Sequence, residues 1–96
     1  MPTYVCLMSL TEKGIKEIKN APEAIELGKK NLESVGGKLL AFYTVMGDYD
    51  YVAIAESPDD ETAMGYLLGL GAAGLVRTTT LKAFTLEQFK KAIEKI

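Results

Sequence analysis

Histidine and tryptophan are absent from this 96-residue chain, which holds one cysteine and three prolines. Without histidine there is no His-ligated zinc or haem, and neither Ser-His-Asp nor Cys-His catalysis is open to it. The single cysteine, Cys6, rules out an intramolecular disulfide and fits a reducing, cytoplasmic setting. It lies in the apolar run Tyr4-Val5-Cys6-Leu7-Met8. No base sits nearby to favour a thiolate, so Cys6 reads as a small buried hydrophobe. Positive charge is also scarce. Eleven Lys and Arg against 13 Asp and Glu leave a net charge of −2, which removes the case for a nucleic-acid binder driven by phosphate neutralisation. No run approaches the ~20 apolar residues of a bilayer span. The N-terminus lacks a basic segment followed by a long apolar one, so no signal peptide is expected.

What is present is an ordinary globular balance, 48% hydrophobic and 25% charged, in a length that suits one domain over residues 1–96. Size scaling gives a folded monomer of this mass roughly 5,400 Å² of surface, enough for a real but thin core.

Residues 3–10 alternate and are rich in β-formers, which predicts a strand with Tyr4, Cys6 and Met8 on one face and Val5 and Leu7 on the other. Thr11 then offers a helix cap. A helical stripe follows at Ile15, Ile18, Ile25, Leu32 and Val35, broken at Asn20-Ala21-Pro22 and closed by Gly36-Gly37. Residues 38–46 form a strand apolar on both faces, Gly47-Asp48-Tyr49 a hairpin turn, and residues 50–56 the returning strand. Ser57-Pro58-Asp59-Asp60 predicts a helix capped by Ser57 with Pro58 in its first position, running to about residue 72. Residues 75–84 form a fourth strand, and Thr85-Leu86-Glu87-Gln88 is a capping box for a last helix with the stripe Leu86, Phe89, Ile93, Ile96.

This β-α-β-β-α-β order with an added C-terminal helix predicts an α+β, ferredoxin-like sandwich: a four-stranded antiparallel sheet with helices on one face. The uncovered face is too apolar for a monomer. A second copy of the chain is therefore expected to cover it, giving a dimeric α/β barrel.

The segment Gly47-Asp48-Tyr49-Asp50, the helix start at Ser57-Pro58-Asp59-Asp60-Glu61 and the strand Val76-Arg77-Thr78-Thr79-Thr80 together resemble the GYD domain family of small bacterial and archaeal proteins. That family is named for a G-x-Y-D signature, here Gly47, Tyr49 and Asp50. The resemblance covers nearly the whole chain. It implies a ferredoxin-like, dimeric α/β-barrel fold and carries no assigned reaction.

Gly69-Leu70-Gly71-Ala72-Ala73-Gly74 spells G-x-G-x-x-G, but a helix precedes it and a strand follows, the reverse of a dinucleotide site. Six acids between Asp48 and Glu61 lack the calcium-loop pattern and are explained by a turn and a helix start. No metal and no cofactor is expected. The candidate ligand-binding residues are Tyr49 and Asp50 at the hairpin, Arg77 in a Val/Thr-rich strand, and Tyr43 and Tyr66, which with Tyr51 could line one cavity as hydrogen-bonding apolar groups. The leading reading is a cytoplasmic homo-oligomeric domain that binds a small apolar or anionic ligand or plays a regulatory part. The rivals are a cofactor-independent oxygenase or isomerase and a pure assembly module. A pocket where Asp50 and a tyrosine converge would favour the enzyme.

Overall fold

The alternating stretch at the N-terminus becomes the central strand β1 (Thr3–Leu10) of the computed structural model, which describes residues 1–96. A short helix α1 (Glu12–Lys16) and a 3-10 turn (Ile18–Asn20) lead into α2 (Ala21–Ser34), with the break where Asn20 and Pro22 place it. The hairpin strands are β2 (Lys38–Thr44) and β3 (Tyr51–Glu56). Then come α3 (Asp60–Ala73), β4 (Val76–Ala83) and α4 (Leu86–Ile93). The sheet order is β2-β3-β1-β4 with every neighbouring pair antiparallel. This is the α+β arrangement expected of a ferredoxin-like fold.

Two local details differ from the sequence reading. The cap of α3 is Asp59, whose Oδ1 accepts from the Thr62 amide at 2.7 Å, and not Ser57. Ser57 precedes a proline, which biases it towards extended backbone, and its hydroxyl donates to the Asp59 carbonyl instead. A charged carboxylate two residues on makes the better cap. The hairpin loop is also wider than a tight turn, because the Val45 amide closes it on the Asp50 carbonyl and β3 starts only at Tyr51.

Strand β2 owes its two apolar faces to a bulge. Leu39 pairs with Ala55 and Ala41 with Ile54, leaving Leu40 as an extra residue. The register slips by one there, so Leu39 and Phe42, three apart, both turn to the helix side. On that side Met8, Tyr51 and Ala53 form the buried cluster, with the Phe42 and Tyr51 rings 5.2 Å apart and tilted. Helix α1 is held against the loop after α3: the Thr11 amide donates to the Leu75 carbonyl and its hydroxyl to the Gly74 carbonyl. A Cβ on Gly14 would lie 2.2 Å from the Leu75 oxygen, so only glycine permits that approach.

The other face of the sheet, with Val5, Leu7, Val52, Ile54, Ala41 and Leu81, has no helix on it. Only eight residues are buried, and the surface is 6901 Å², roughly 1,500 Å² above the scaling for a monomer of this mass. The radius of gyration is 14.5 Å against about 12.5 Å for a compact domain of this length. Every residue from Leu86 to Ile96 is exposed, so α4 projects from the sheet edge with its apolar stripe bare.

At the far end of the sheet the Tyr4 hydroxyl donates to Asp60 Oδ1 at 2.5 Å, and Lys82 Nζ donates to Asp60 Oδ2 at 2.8 Å. Lys82 first, then Tyr4, hold the Asp60 carboxyl below its usual range. The Tyr4 phenol is pushed up to about 12, by burial first and then by Asp60. The fold favours the neutral phenol, so its contribution is complete below pH 10 and is lost as pH climbs towards 12. Asp60 acts in the opposite sense: its contribution is complete above the ordinary carboxylate pKa of about 3.9 and is lost as pH falls through its lowered folded value. The midpoint of urea unfolding should therefore drop between pH 10 and pH 12, and Tyr4→Phe should flatten part of that drop. An unaltered drop in the variant would show that Tyr4 does not set it.

Candidate functional site

Helices α2 and α3 stand apart over the sheet, and the gap between them is a cleft of ≈ 500 Å³. Cys6, Met8, Tyr51 and Ala53 form its floor, Ile25, Leu32 and Gly28 line one wall, and Tyr66, Leu67 and Leu70 the other. The charged residues that reach it, Glu17 and Lys29, are exposed and sit at the rim. Its interior is thus apolar with three polar atoms of note. The Cys6 thiol is pushed up by burial, which keeps it protonated and slows its reaction with electrophiles. The Tyr66 hydroxyl is engaged, donating to the Gly28 carbonyl at 2.8 Å and tying α3 to α2 across the gap. The Tyr51 hydroxyl has no partner in the protein, although the residue is only 7% exposed. Burial, with the Asp50 charge beside it, raises its pKa, so it stays a neutral donor.

Of the residues singled out from the sequence, Tyr66 and Tyr51 line this cleft. Gly47 sits at φ 115 with open space around it, a conformation that L side chains rarely adopt, so the loop itself calls for glycine. Asp50 is committed to the backbone. Its Oδ2 accepts from the Leu10 amide at 2.8 Å and its own amide donates to the Met8 carbonyl, pinning the hairpin to the end of β1. Tyr49 is half-buried between these two. Tyr43, 62% exposed, lies on the open sheet face beside Val52. Arg77, opposite Ser9 in the register of that face, is exposed at the β4 edge, where it borders a groove shared with Thr11, Gly71 and Thr78 of the helix side. It forms no ion pair with Asp50, from which β1 separates it. The candidates therefore divide among the hairpin, the cleft and the open face.

Tyr51 and Cys6 are the cleft residues that sequence reasoning underweighted. Alternation places Cys6 with Met8 and Tyr4, and Tyr51 with Ala53, but it does not say which face the helices cover. The Asp50 geometry predicts that Asp50→Ala, which orphans the Leu10 amide, destabilises the fold by about 1–3 kcal/mol, while Asp50→Asn, which keeps an acceptor, costs clearly less. Equal losses would refute the bond's role. Tyr66→Phe should cost about 1 kcal/mol and lower the Tm by roughly 4–8 °C, read by calorimetry. An unchanged Tm would mean the strut carries no load.

Comparison with known proteins supplies a lineage. Residues 4–93 match the GYD domain. A Thermus thermophilus protein named "Glutamine synthetase and cystathionine beta-lyase binding protein" is 37% identical over 84 residues, spanning 86% of this chain and 88% of that one. The crystal structure of TTHA0845 from the same organism superposes with a TM-score of 0.57 at 23% identity, covering 88% of this chain and 95% of the other, which supports the fold. With a match that runs through nearly all of its length, the chain belongs to the GYD domain family.

Proposed function

We propose that this protein is a homo-oligomeric regulatory domain that works in the cytoplasm by binding other proteins. The observation that carries the reading is the surplus of exposed surface, roughly 1,500 Å² more than a monomer of this mass should show, with large hydrophobics such as Met64, Leu68, Leu81, Phe84 and Phe89 lying exposed in it, against about 800 Å² per partner in a standard interface. The surplus is enough for more than one contact.

Its distribution supports two. The open sheet face has an apolar middle of Val5, Leu7, Ile54 and Leu81, with Arg77 towards one end and Lys38 and Glu56 at the other. A self-complementary patch of this kind suits a two-fold pair, sheet against sheet. The bare stripe of α4, which follows β4 in the chain, offers further apolar area for association. The second region is the outer side of α3. No charged residue lies between Glu61 and Arg77, and Met64 and Leu68 are well exposed there. A helix apolar on every side is normally covered on every side. Once two copies pair through their sheets, this helix still faces outward, available to a different protein.

The relative's name gives that surface a class of partner. A protein 37% identical is called a binding protein for two enzymes, glutamine synthetase and cystathionine beta-lyase. A metabolic enzyme is accordingly the class of partner we assign to α3. A catalytic role for the chain itself gains less support, because the Asp50 carboxylate that would serve as proton acceptor is bonded to a backbone amide.

Surface variants separate the two contacts. Leu81→Asp should convert the oligomer to monomers in light scattering. Leu68→Asp should leave the oligomer intact and abolish capture of glutamine synthetase from the same source on immobilised protein. A monomeric wild type would overturn the self-association, and full capture by Leu68→Asp would overturn the assignment of α3.

A further inference from the structure

We infer that the cleft between α2 and α3 is a binding site for an uncharged, largely apolar small molecule that carries a hydrogen-bond acceptor such as a ketone or quinone oxygen. The inference is independent of the oligomer, because the cleft lies on the helix side of the sheet and not on the open face.

Three observations lead to it. The first is shape. In a chain with so few buried residues, the helices would gain by closing on each other, yet Tyr66 holds them apart, its ring in the gap and its hydroxyl on the Gly28 carbonyl. The space that remains, ≈ 500 Å³, falls within the ordinary range of small-molecule sites. The second is Tyr51. Its hydroxyl lies in a residue more than nine-tenths buried, faces the cleft, and lacks any hydrogen-bond partner in the protein. The phenol oxygen itself is open to the cleft and is not a sealed orphan, so it presents a free donor there, and an acceptor on a bound molecule takes the place that water otherwise fills. The third is charge. The floor and walls carry no ionised side chain, and Asp50 stands next to Tyr51 in the chain. Its negative charge, with the apolar lining, penalises an anion at the one hydrogen-bonding point and favours a neutral acceptor. Of the apolar and anionic ligands that composition alone left open, the site selects the apolar one.

The chemistry also sets the role of each group. Met8, Ile25 and Leu67 supply dispersion contact and exclude water. Tyr51 fixes the orientation of the bound molecule through one bond. Cys6, protonated on the floor, adds soft contact.

Prodan, an uncharged naphthalene bearing one ketone, is a suitable probe because its emission reports both the polarity around it and a hydrogen bond to that ketone. Titrated against the intact protein, it should bind saturably at one molecule per chain. Tyr51→Phe removes only an unbonded oxygen, so the fold survives. It should weaken Prodan about five-fold and shift the bound emission to the blue. A side chain at Gly69, which lines the cleft with nothing within 4 Å of a Cβ, should block the site. Gly69→Leu also improves helix propensity, so its loss of Prodan binding would not reflect unfolding. In the wild type, saturating Prodan should slow alkylation of Cys6 by N-ethylmaleimide, and anilinonaphthalene sulfonate, an anion of similar size, should not displace it. The inference is overturned if wild type shows no saturable binding, if either variant keeps wild-type affinity, as a dye adsorbed to the open sheet face would, if the sulfonate displaces Prodan, or if Cys6 reacts at the same rate with and without Prodan.

Discussion

A four-stranded sheet has two faces, and this chain owns helices for one. That shortage governs the rest of the structure. Two helices of fourteen residues each cover the side of Met8, Tyr51 and Ala53, while Val5, Leu7, Ile54 and Leu81 on the other side have no helix of their own chain over them. Apolar burial is the main favourable term in folding, worth about 25 cal/mol per Å². A chain that leaves it undone must complete it by association or forgo it. The wide surface and the long radius of gyration both express this incompleteness.

Even the covered side is only partly closed. The helices pack on opposite halves of the sheet, joined across the gap by the Tyr66–Gly28 bond. The family signature works at the margin of this arrangement and not inside it. Gly47 supplies a left-handed turn and Asp50 secures the turn to β1. The motif that identifies the family thus encodes a backbone geometry that fixes the register of β3 beside β1, and through it the position of Tyr51 on the cleft floor. Function, on this view, is carried by surfaces and a cavity that the signature positions indirectly.

Much of this was legible in the residues. Period-two alternation in Thr3–Leu10, the break at Asn20–Pro22 and the Thr85–Gln88 capping box each depend on local chemistry, and each lies where that chemistry puts it. The bulge at Leu40 was not legible, because it arises from pairing with β3 and leaves no mark on β2 beyond its apolar character. The cap of α3 moved from Ser57 to Asp59 because two good capping residues stood two apart and the carboxylate prevailed. Site residues were the hardest to read. Tyr43, Tyr51 and Tyr66 are alike as letters; the fold sends one to the open face, one to the cleft floor and one across the cleft as a strut. Asp50 looked like chemistry and is architecture, since a carboxylate's partner depends on a strand forty residues away.

Helix α4 states the constraint most sharply. It has eight residues, a complete capping box and a clean apolar stripe of Leu86, Phe89 and Ile93, each at least 49% exposed. Isolated helices shorter than about 12–15 residues are marginal in water, so this one needs a surface that its own chain does not offer. Hydrogen exchange of the 86–93 amides, followed over a hundred-fold dilution, tests this directly. Protection comparable to that of the sheet is expected at high concentration, lost on dilution as the copies separate. Rapid exchange of α4 at every concentration, with the sheet still protected, would contradict it.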